Sequence, residues 1–594
     1  MNREWAGWLA FYLLVSIVFC SPLFAQPLAF GVNDWDQHLF YYGAVLKNVV
    51  EYGQMPFWNP WYCGGNVLWQ NPQIALLSPV YPLSMVMPLQ LAMKVNIVLH
   101  YWIGFVGAHL LIARGIGLTF TPVVVLLATL ITAAGATAIH LTAGHSVFLP
   151  GLYLPLLLYY YVRALNTGAL RNLFLAAALL ALMVFNGGVH ILPMAVAALG
   201  SLSVFIALLS RSLQPVVGSV VFMAAGFAYA APKLLPVSLY VLGDTFWDTR
   251  NPTEHPDRVT LEMLRHVYLD PNQHTGLTFE LQRHRWQEYG NYIGPLAALL
   301  IALGVVVALL RRTRDGDVWS RALALTTLLL FSFSLGEFSP LAPASLVTAL
   351  PLFSSFRIPS RYTILFVVFA TLTVGSVARS LIERRALGRF VARTVTVICV
   401  LAALHLIVTN RNFFVRVFRD APSFDPTFRV MSGPAELVID RDSNPYQPGS
   451  PMLRALMSDQ SFFSCYESLQ LGRTADSDRP LVYSEGNALI SNVRFSPNRI
   501  EFDASAGLTA SPLFLNQNFA HGWSSDVGLV ARERDTGRLS ITLGSGQTGH
   551  FSFEFVPPGL WMGTMIAIIA VAASIVMRNL KTSSLECGIP QGGQ

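Results

Sequence analysis

About twelve runs of 17 to 25 mostly apolar residues, separated by short polar or basic breaks, constrain the fold of this chain more than any single motif does. A run of that length is what an α-helix needs to cross the roughly 30 Å hydrocarbon layer of a bilayer. Lipid offers no partner to a bare backbone amide, so the runs predict helices and exclude open sheet at that depth. They lie near 6–25, 90–113, 118–139, 147–164, 172–187, 189–210, 216–242, 291–310, 320–336, 361–380, 391–409 and 559–577. The first follows only Asn2-Arg3-Glu4, and Phe24-Ala25-Gln26 is a poor small-x-small cleavage junction, so it is read as an uncleaved span.

Composition agrees, since 53% hydrophobic and 12% charged residues over 594 positions is too apolar for a soluble chain. The net charge of +6 does not indicate nucleic acid, because the basic residues sit in short clusters between the apolar runs. Arg114, Arg163 with Arg171, Arg211, Arg311 to Arg314, Arg379 to Arg393, and Arg578 with Lys581 all fall on one side if the N-terminus is cytoplasmic. Both termini are then cytoplasmic, and residues 26–89, 243–290, 337–360 and 410–558 face the other compartment.

Three parts follow: a multi-span domain over 1–409 with its outer loop 26–89, a β-rich outer domain over 410–558, and a final helix with a short cytoplasmic tail over 559–594. The loop is rich in Trp58, Trp61, Trp69, Tyr62, Pro56 and Pro60, which predicts interfacial helices at headgroup depth. Residues 338–359 are apolar but broken by prolines and are read as interfacial or re-entrant. In the β-rich part, Leu539, Ile541 and Leu543 alternate with polar neighbours, and Phe551, Phe553 and Phe555 do the same after Gly544-Ser-Gly, which reads as a hairpin-like pair of half-buried strands. Gly522-Trp523 is read as a turn followed by a core aromatic. The five cysteines have no zinc or redox spacing; Cys63 and Cys465 both fall on the outer face, and free thiols are expected for them.

Candidate chemistry collects on that face. Asp34 and Asp36 stand where the chain first emerges from the membrane. An extended backbone would turn both to one side as a metal-binding pair, whereas a helix would separate them by about 200°. The bland alternative is solvation or helix capping. Arg357 and Arg361 stand at the entry of a span, where two guanidinium groups could fork a donor phosphate or merely snorkel to headgroups. His145 and His190 sit in short turns after glycine and could bond a sugar hydroxyl or a backbone carbonyl. Glu288 and Tyr292 precede the next span, and Gln37, His38, Trp58 and Asn59 complete the candidate substrate-binding set. There is no Walker loop, nucleophile elbow, zinc-protease helix or dinucleotide fingerprint, so nucleotide-driven chemistry is unsupported.

In chain order, Asp34-Trp-Asp-Gln37, Gly53-Gln-Met-Pro-Phe-Trp-Asn-Pro60 with Gly64-Gly65, Ser78-Pro-Val-Tyr-Pro82, Gly144-His145, Glu288-Tyr-Gly-Asn-Tyr-Ile-Gly294, Phe356-Arg-Ile-Pro-Ser-Arg361 and Gly522-Trp523 make the chain resemble the bacterial YfhO-like membrane proteins. These fall within the C-type (GT-C) membrane glycosyltransferases. The resemblance implies a polytopic α-helical membrane fold with a β-rich extracytoplasmic domain in the bacterial inner membrane. It implies transfer of a sugar, with inversion, from a polyprenyl-phosphate-linked donor to a cell-envelope glycan, lipid or protein acceptor. An acid in the first outer loop is then the catalytic or metal-binding carboxylate, and the matching positions are Asp34 and Asp36, with Mg²⁺ or Mn²⁺ as the divalent metal such a pair would take. The adjacent Asp-Glu pair of some relatives is absent, which leaves open which acid acts and whether a metal is needed; the spacing to Gln37 favours Asp34. The rival readings are a transporter or flippase of lipid-linked glycans, leaning on Lys233 between Pro232 and Pro236, and a non-catalytic envelope scaffold.

Overall fold

The structure is a computed structural model that describes residues 3–243, 257–274, 276–311, 317–349, 358–384, 388–421, 424, 426–428, 438–439, 449–462, 475–476, 478–534 and 536–580. Each expected apolar run is helical. Eight helices among the described residues are long and apolar enough to cross a membrane: Arg3–Phe24, Leu89–Ile116, Thr121–Ala143, Ser146–Thr167, Ile191–Ser210, Pro359–Ile382, Arg389–Arg416 and Leu560–Met577. The run at 216–242 is two helices, Gln214–Tyr229 and Ala231–Gly243, bent by 84°. Leu170–Phe185, Pro295–Leu310 and Val318–Ser334 are apolar but fall short of the roughly 20 residues that a perpendicular crossing takes.

One of these helices is broken where the site begins. Thr121–Ala133 stops at Ala134, whose backbone is extended, and Gly135–Ala143 continues beyond it. The backbone groups freed by the break find partners elsewhere. Gly135 N donates to Tyr292 O, Ala136 N donates to Asn291 Oδ1, and Asn410 Nδ2 donates to Ala133 O. A side chain at Gly135 would come within 2.7 Å of Tyr292 N, so only glycine lets the two backbones meet. A discontinuous helix is tolerated at such depth when neighbouring protein satisfies it in this way.

In the loop 26–89, two of the tryptophans expected at headgroup depth are buried in protein instead. The loop forms a helix, Trp35–Leu46, that runs into the wider turn Lys47–Glu51, and Trp58 and Trp61 are fully buried. What covers them is protein. Trp58 packs edge-on against Trp523 and tilted against Phe555, while its Nε1 donates to Gln517 Oε1 at 3.0 Å. Lys47 is buried between Glu51 at 2.8 Å and Asp459 at 3.2 Å. Tyr62 bridges to Phe462, and Asn518 Nδ2 donates to the carbonyls of Cys63 and Gly65. Cys63 is disulfide-bonded, which corrects the free-thiol reading; Cys20 and Cys399 are free, and Cys465 lies outside the described residues.

The β-rich part holds two four-stranded antiparallel sheets. One runs Ala531–Arg532, Arg538–Leu543, Ser511–Asn518, Val482–Ser484, and the other Trp523–Ser525, Thr548–Phe555, Arg499–Ser505, Leu489–Ser496. The alternation at Leu539, Ile541 and Leu543 and at Phe551, Phe553 and Phe555 is the buried face of two strands, as expected. They are not paired as a hairpin, however. Arg538–Leu543 pairs with Ser511–Asn518, and Thr548–Phe555 pairs with Arg499–Ser505, so the Gly544–Gln547 turn carries the chain from one sheet to the other. Trp523 is buried, as its place after a turn suggested. Of residues 338–359, the structure describes a turn and the short helix Pro343–Thr348 before the chain leaves the described residues at 350.

Candidate functional site

The break at Ala134 aims the short helix Gly135–Ala143 and the turn after it at the start of the loop helix. The last three carbonyls of that helix hold Asn33 to Trp35 by three hydrogen bonds: Asp34 N to Ala143 O at 3.0 Å, Asn33 Nδ2 to Thr142 O at 3.2 Å, and Trp35 Nε1 to Leu141 O at 2.7 Å. Asp34 is therefore the residue just before the helix Trp35–Leu46, at its electropositive end, with its side chain about one-third exposed at 34%. Its Oδ2 lies 3.3 Å from His145 Nε2.

Behind His145 the polar groups continue inward. His145 Nδ1 faces His140 Nδ1 at 3.1 Å, and the Glu288 carboxylate lies 3.7 Å from the first ring and 3.9 Å from the second. Glu288 is buried, which by itself would raise its pKa, but the charges of Arg361 and His145 and the Arg361 hydrogen bonds hold it well below the usual range. Arg361 grips it with both prongs, Nε to Oε2 at 2.7 Å and Nη2 to Oε1 at 2.9 Å. Phe148 floors the cluster: His140 stacks on it at 4.0 Å, His190 at 5.8 Å, and the Arg361 guanidinium lies over its ring at 5.3 Å. The segment carrying Glu288 is itself fixed, with Ser360 Oγ donating to Glu288 O and Tyr289 Oη donating to Asp257 at 2.6 Å.

The sequence-predicted residues therefore separate into two groups. Asp34, His145, His190, Glu288 and Arg361 converge. His38 adjoins them: burial lowers its imidazole to about 4, with the nearby Asp34 charge opposing and His145 adding to the shift, so it is neutral at neutral pH. Asp36 does not join Asp34, because the chain there is helical. It is buried, and its carboxylate accepts the backbone amides of Met452 at 2.9 Å and Leu453 at 3.1 Å, at the start of the helix Pro451–Met457. The expected Asp34–Asp36 metal pair is not formed. Arg361 likewise spends its fork on Glu288, which corrects its reading as half of an open phosphate clamp; Arg357 lies outside the described residues.

Others take structural places. Gln37 is buried and donates to Tyr41 Oη, Trp58 and Asn59 are buried under the sheets, and Tyr292 bonds His405 Nε2 at 2.8 Å, on another helix. His140 was not singled out from sequence. Its signal was a histidine one residue past an apolar run with a second histidine five positions on, an uncommon pattern at that depth. His140, His145 and Glu288 each present a ligand atom within 4.8 Å of the others' and are the described residues able to surround a cation.

No family model matches the chain, and no curated protein matches it. Among solved structures it is similar to the arabinofuranosyltransferase AftD from Mycobacteria, solved by cryo-electron microscopy, with 14% identity and a TM-score of 0.43 over 71% of this chain and 27% of that one. A mutant form of the same enzyme matches at 15% identity and a TM-score of 0.40, over 71% of this chain and 28% of that one. The chain thus spans about a quarter of the length of these proteins.

Proposed function

We propose that the protein is a YfhO-like, C-type membrane glycosyltransferase that moves a sugar from a polyprenyl-phosphate donor to an envelope acceptor, with Asp34 as the general base. The observation that carries this reading is the contrast between the two loop acids. Asp34 is partly exposed and backed by His145, whereas Asp36 is buried against backbone amides. A carboxylate that is fixed, accessible and flanked by histidines suits proton removal from a hydroxyl. The disulfide at Cys63 fits the oxidising side of a membrane, where a lipid-borne donor rather than a nucleotide sugar is used.

In the proposed step the acceptor hydroxyl gives its proton to Asp34 while its oxygen attacks the anomeric carbon. The bond from that carbon to the lipid phosphate breaks from the opposite face, and its electron pair leaves on the phosphate oxygen. Base assistance of this kind is worth about a hundred- to ten-thousand-fold in rate, so positioning and phosphate stabilisation supply the rest. With Arg361 held by Glu288, stabilisation of the leaving phosphate falls to Arg357. The Lys233 on which the transporter reading leaned donates to the carbonyls of Trp69 and Asn71, each at 2.7 Å, and so clamps the bent helix pair to the loop 26–89.

The test supplies a panel of polyprenyl-phosphate sugars to membranes containing the unmodified protein or Asp34→Asn and analyses the products. Transfer that falls at least a hundredfold in the variant is expected. Full transfer at normal expression would sink the assignment, and movement of the donor without chemical change, insensitive to Asp34→Asn, would favour a flippase.

A further inference from the structure

We propose that Nδ1 of His140, Nδ1 of His145 and a carboxylate oxygen of Glu288 form a binding site for one divalent transition metal of the zinc type. The three ligands come from separate places in the chain: the short helix Gly135–Ala143, the turn after it, and the one-turn helix Trp286–Glu288. The two Nδ1 atoms lie 3.1 Å apart, His145 Nδ1 is 3.7 Å from Glu288 Oε1 and His140 Nδ1 is 3.9 Å from Oε2, and one ligand atom from each residue lies within 4.8 Å of the other two. A tetrahedral zinc with bonds of about 2.0–2.1 Å spaces its donors roughly 3.3 Å apart. The two imidazoles are within hydrogen-bond distance of each other, but both nitrogen-to-oxygen gaps are wider than N–H···O hydrogen bonds of about 2.7–3.2 Å, so neither ring is hydrogen-bonded to Glu288.

Each ligand also carries the outer partner that such sites need. The Arg361 fork takes one contact from each Glu288 oxygen, and a carboxylate has about four lone-pair positions, so the fork leaves room for a metal. His145 with its Nδ1 on the metal must carry its proton on Nε2, which faces Asp34 Oδ2 at 3.3 Å. That is a carboxylate–histidine–metal relay, which fixes the ring and its tautomer. Two imidazoles and one carboxylate select zinc-like ions over magnesium, which prefers all-oxygen surroundings. The site differs in ligands and in metal from the Asp34–Asp36 pair that the sequence suggested. The consequence for Asp34, whose orientation the metal would set through His145, rests on the transferase reading; metal binding itself does not.

The experiment purifies the full chain in detergent, strips it with a chelator, and dialyses it separately against Zn²⁺, Co²⁺ and Mg²⁺. Metal content is read by mass spectrometry and the Co²⁺ form by its visible absorption. About one Zn²⁺ per chain is expected, with a tetrahedral Co²⁺ spectrum and no retained Mg²⁺. His140→Gln and His145→Gln should each lose the ion, whereas His109→Gln, on another helix, should keep it. Zinc at background in the unmodified protein, binding of Mg²⁺ alone, or full zinc content in both site variants would overturn the proposal. Where a site variant fails to elute as the unmodified protein does, Asp34→Asn decides: it removes only the outer partner and should weaken zinc affinity about ten- to a hundredfold. Unchanged affinity there would refute the relay. A chain that binds zinc but transfers no sugar would leave the metal site standing and remove the transferase reading.

Discussion

Gly144 lies against the backbone of Asp34 so closely that a Cβ there would come within 2.5 Å of the Asp34 carbonyl carbon and 2.4 Å of Trp35 N. Its φ of +98° is also one that side chains disfavour. Gly144→Ala should therefore push Asp34 out of place without touching any reacting group. A displacement near 1 Å can cost about a hundredfold in rate. Transfer assays on Gly144→Ala should show a loss of that order with normal expression, and undiminished turnover would mean that Asp34 need not be held.

Asp36 gives the opposite expectation. An asparagine there keeps one oxygen for one of the two amides and sets its NH2 against the other, so Asp36→Asn should unfold at a somewhat lower temperature yet retain transfer within about threefold per folded molecule. Asp36→Ala leaves both amides unpaired and should destabilise the protein by about 1–3 kcal/mol, read by thermal unfolding. Loss of transfer in a stable Asp36→Asn would return that acid to the catalytic list.

The same contact predicts a pH dependence. Burial pushes the Asp36 carboxyl up from 3.8 to about 7, against the two amide bonds that favour its charged form; the Asp420 charge adds to the rise and Arg454 opposes it. The folded chain then holds this proton more tightly than the unfolded chain does, so the contribution is fully present below about pH 4 and is lost as pH rises through about 7. The thermal unfolding midpoint should fall over that window. Asp36→Asn should abolish the trend.

Arg361→Gln leaves the Glu288 charge buried without its partner. Breaking a buried pair from one side typically costs about 3–5 kcal/mol. The variant should unfold at lower temperature, and Arg361→Gln with Glu288→Gln should recover much of the loss. A double variant as unstable as the single one would show that the pair does not act as a unit.

Trp58 offers a test of how the loop 26–89 is held. Removing a fully buried indole costs about 3–5 kcal/mol, and here it would also orphan Gln517 Oε1. Trp58→Ala should expose the loop to proteolysis while the membrane helices stay intact. Unchanged cleavage would mean that the sheets and the loop are held together by other contacts.

The helices were legible because bilayer thickness fixes their length, and the strands because a buried face imposes a period of two. Even so, the strand partners were not legible: the Gly544–Gln547 turn reads as a hairpin, but pairing is decided by which sheet each strand completes. The tryptophans of the loop were misread for a related reason, since an indole suits a headgroup layer and a protein core equally well, and only Trp523 and Phe555 decide between them. At the site, Asp34, His145, Glu288 and Arg361 stood out as polar groups at helix ends. Their mutual engagement did not, because Arg361 meets Glu288 across 73 residues. His140 was hidden by its apolar neighbours and by a helix break that depends on Asn291 and Asn410.

The partners of Trp58 stand 440 and 459 positions further along the chain. At a synthesis rate of about 5–20 residues per second, the loop waits roughly 20–90 s for them. During that interval Trp58 lacks both. Assembly is therefore a closing of the last part of the chain upon the first, and a ribosome that stalls before residue 480 would leave Trp58 without Asn498 and Gln517 although Lys233 already clamps the loop beside it.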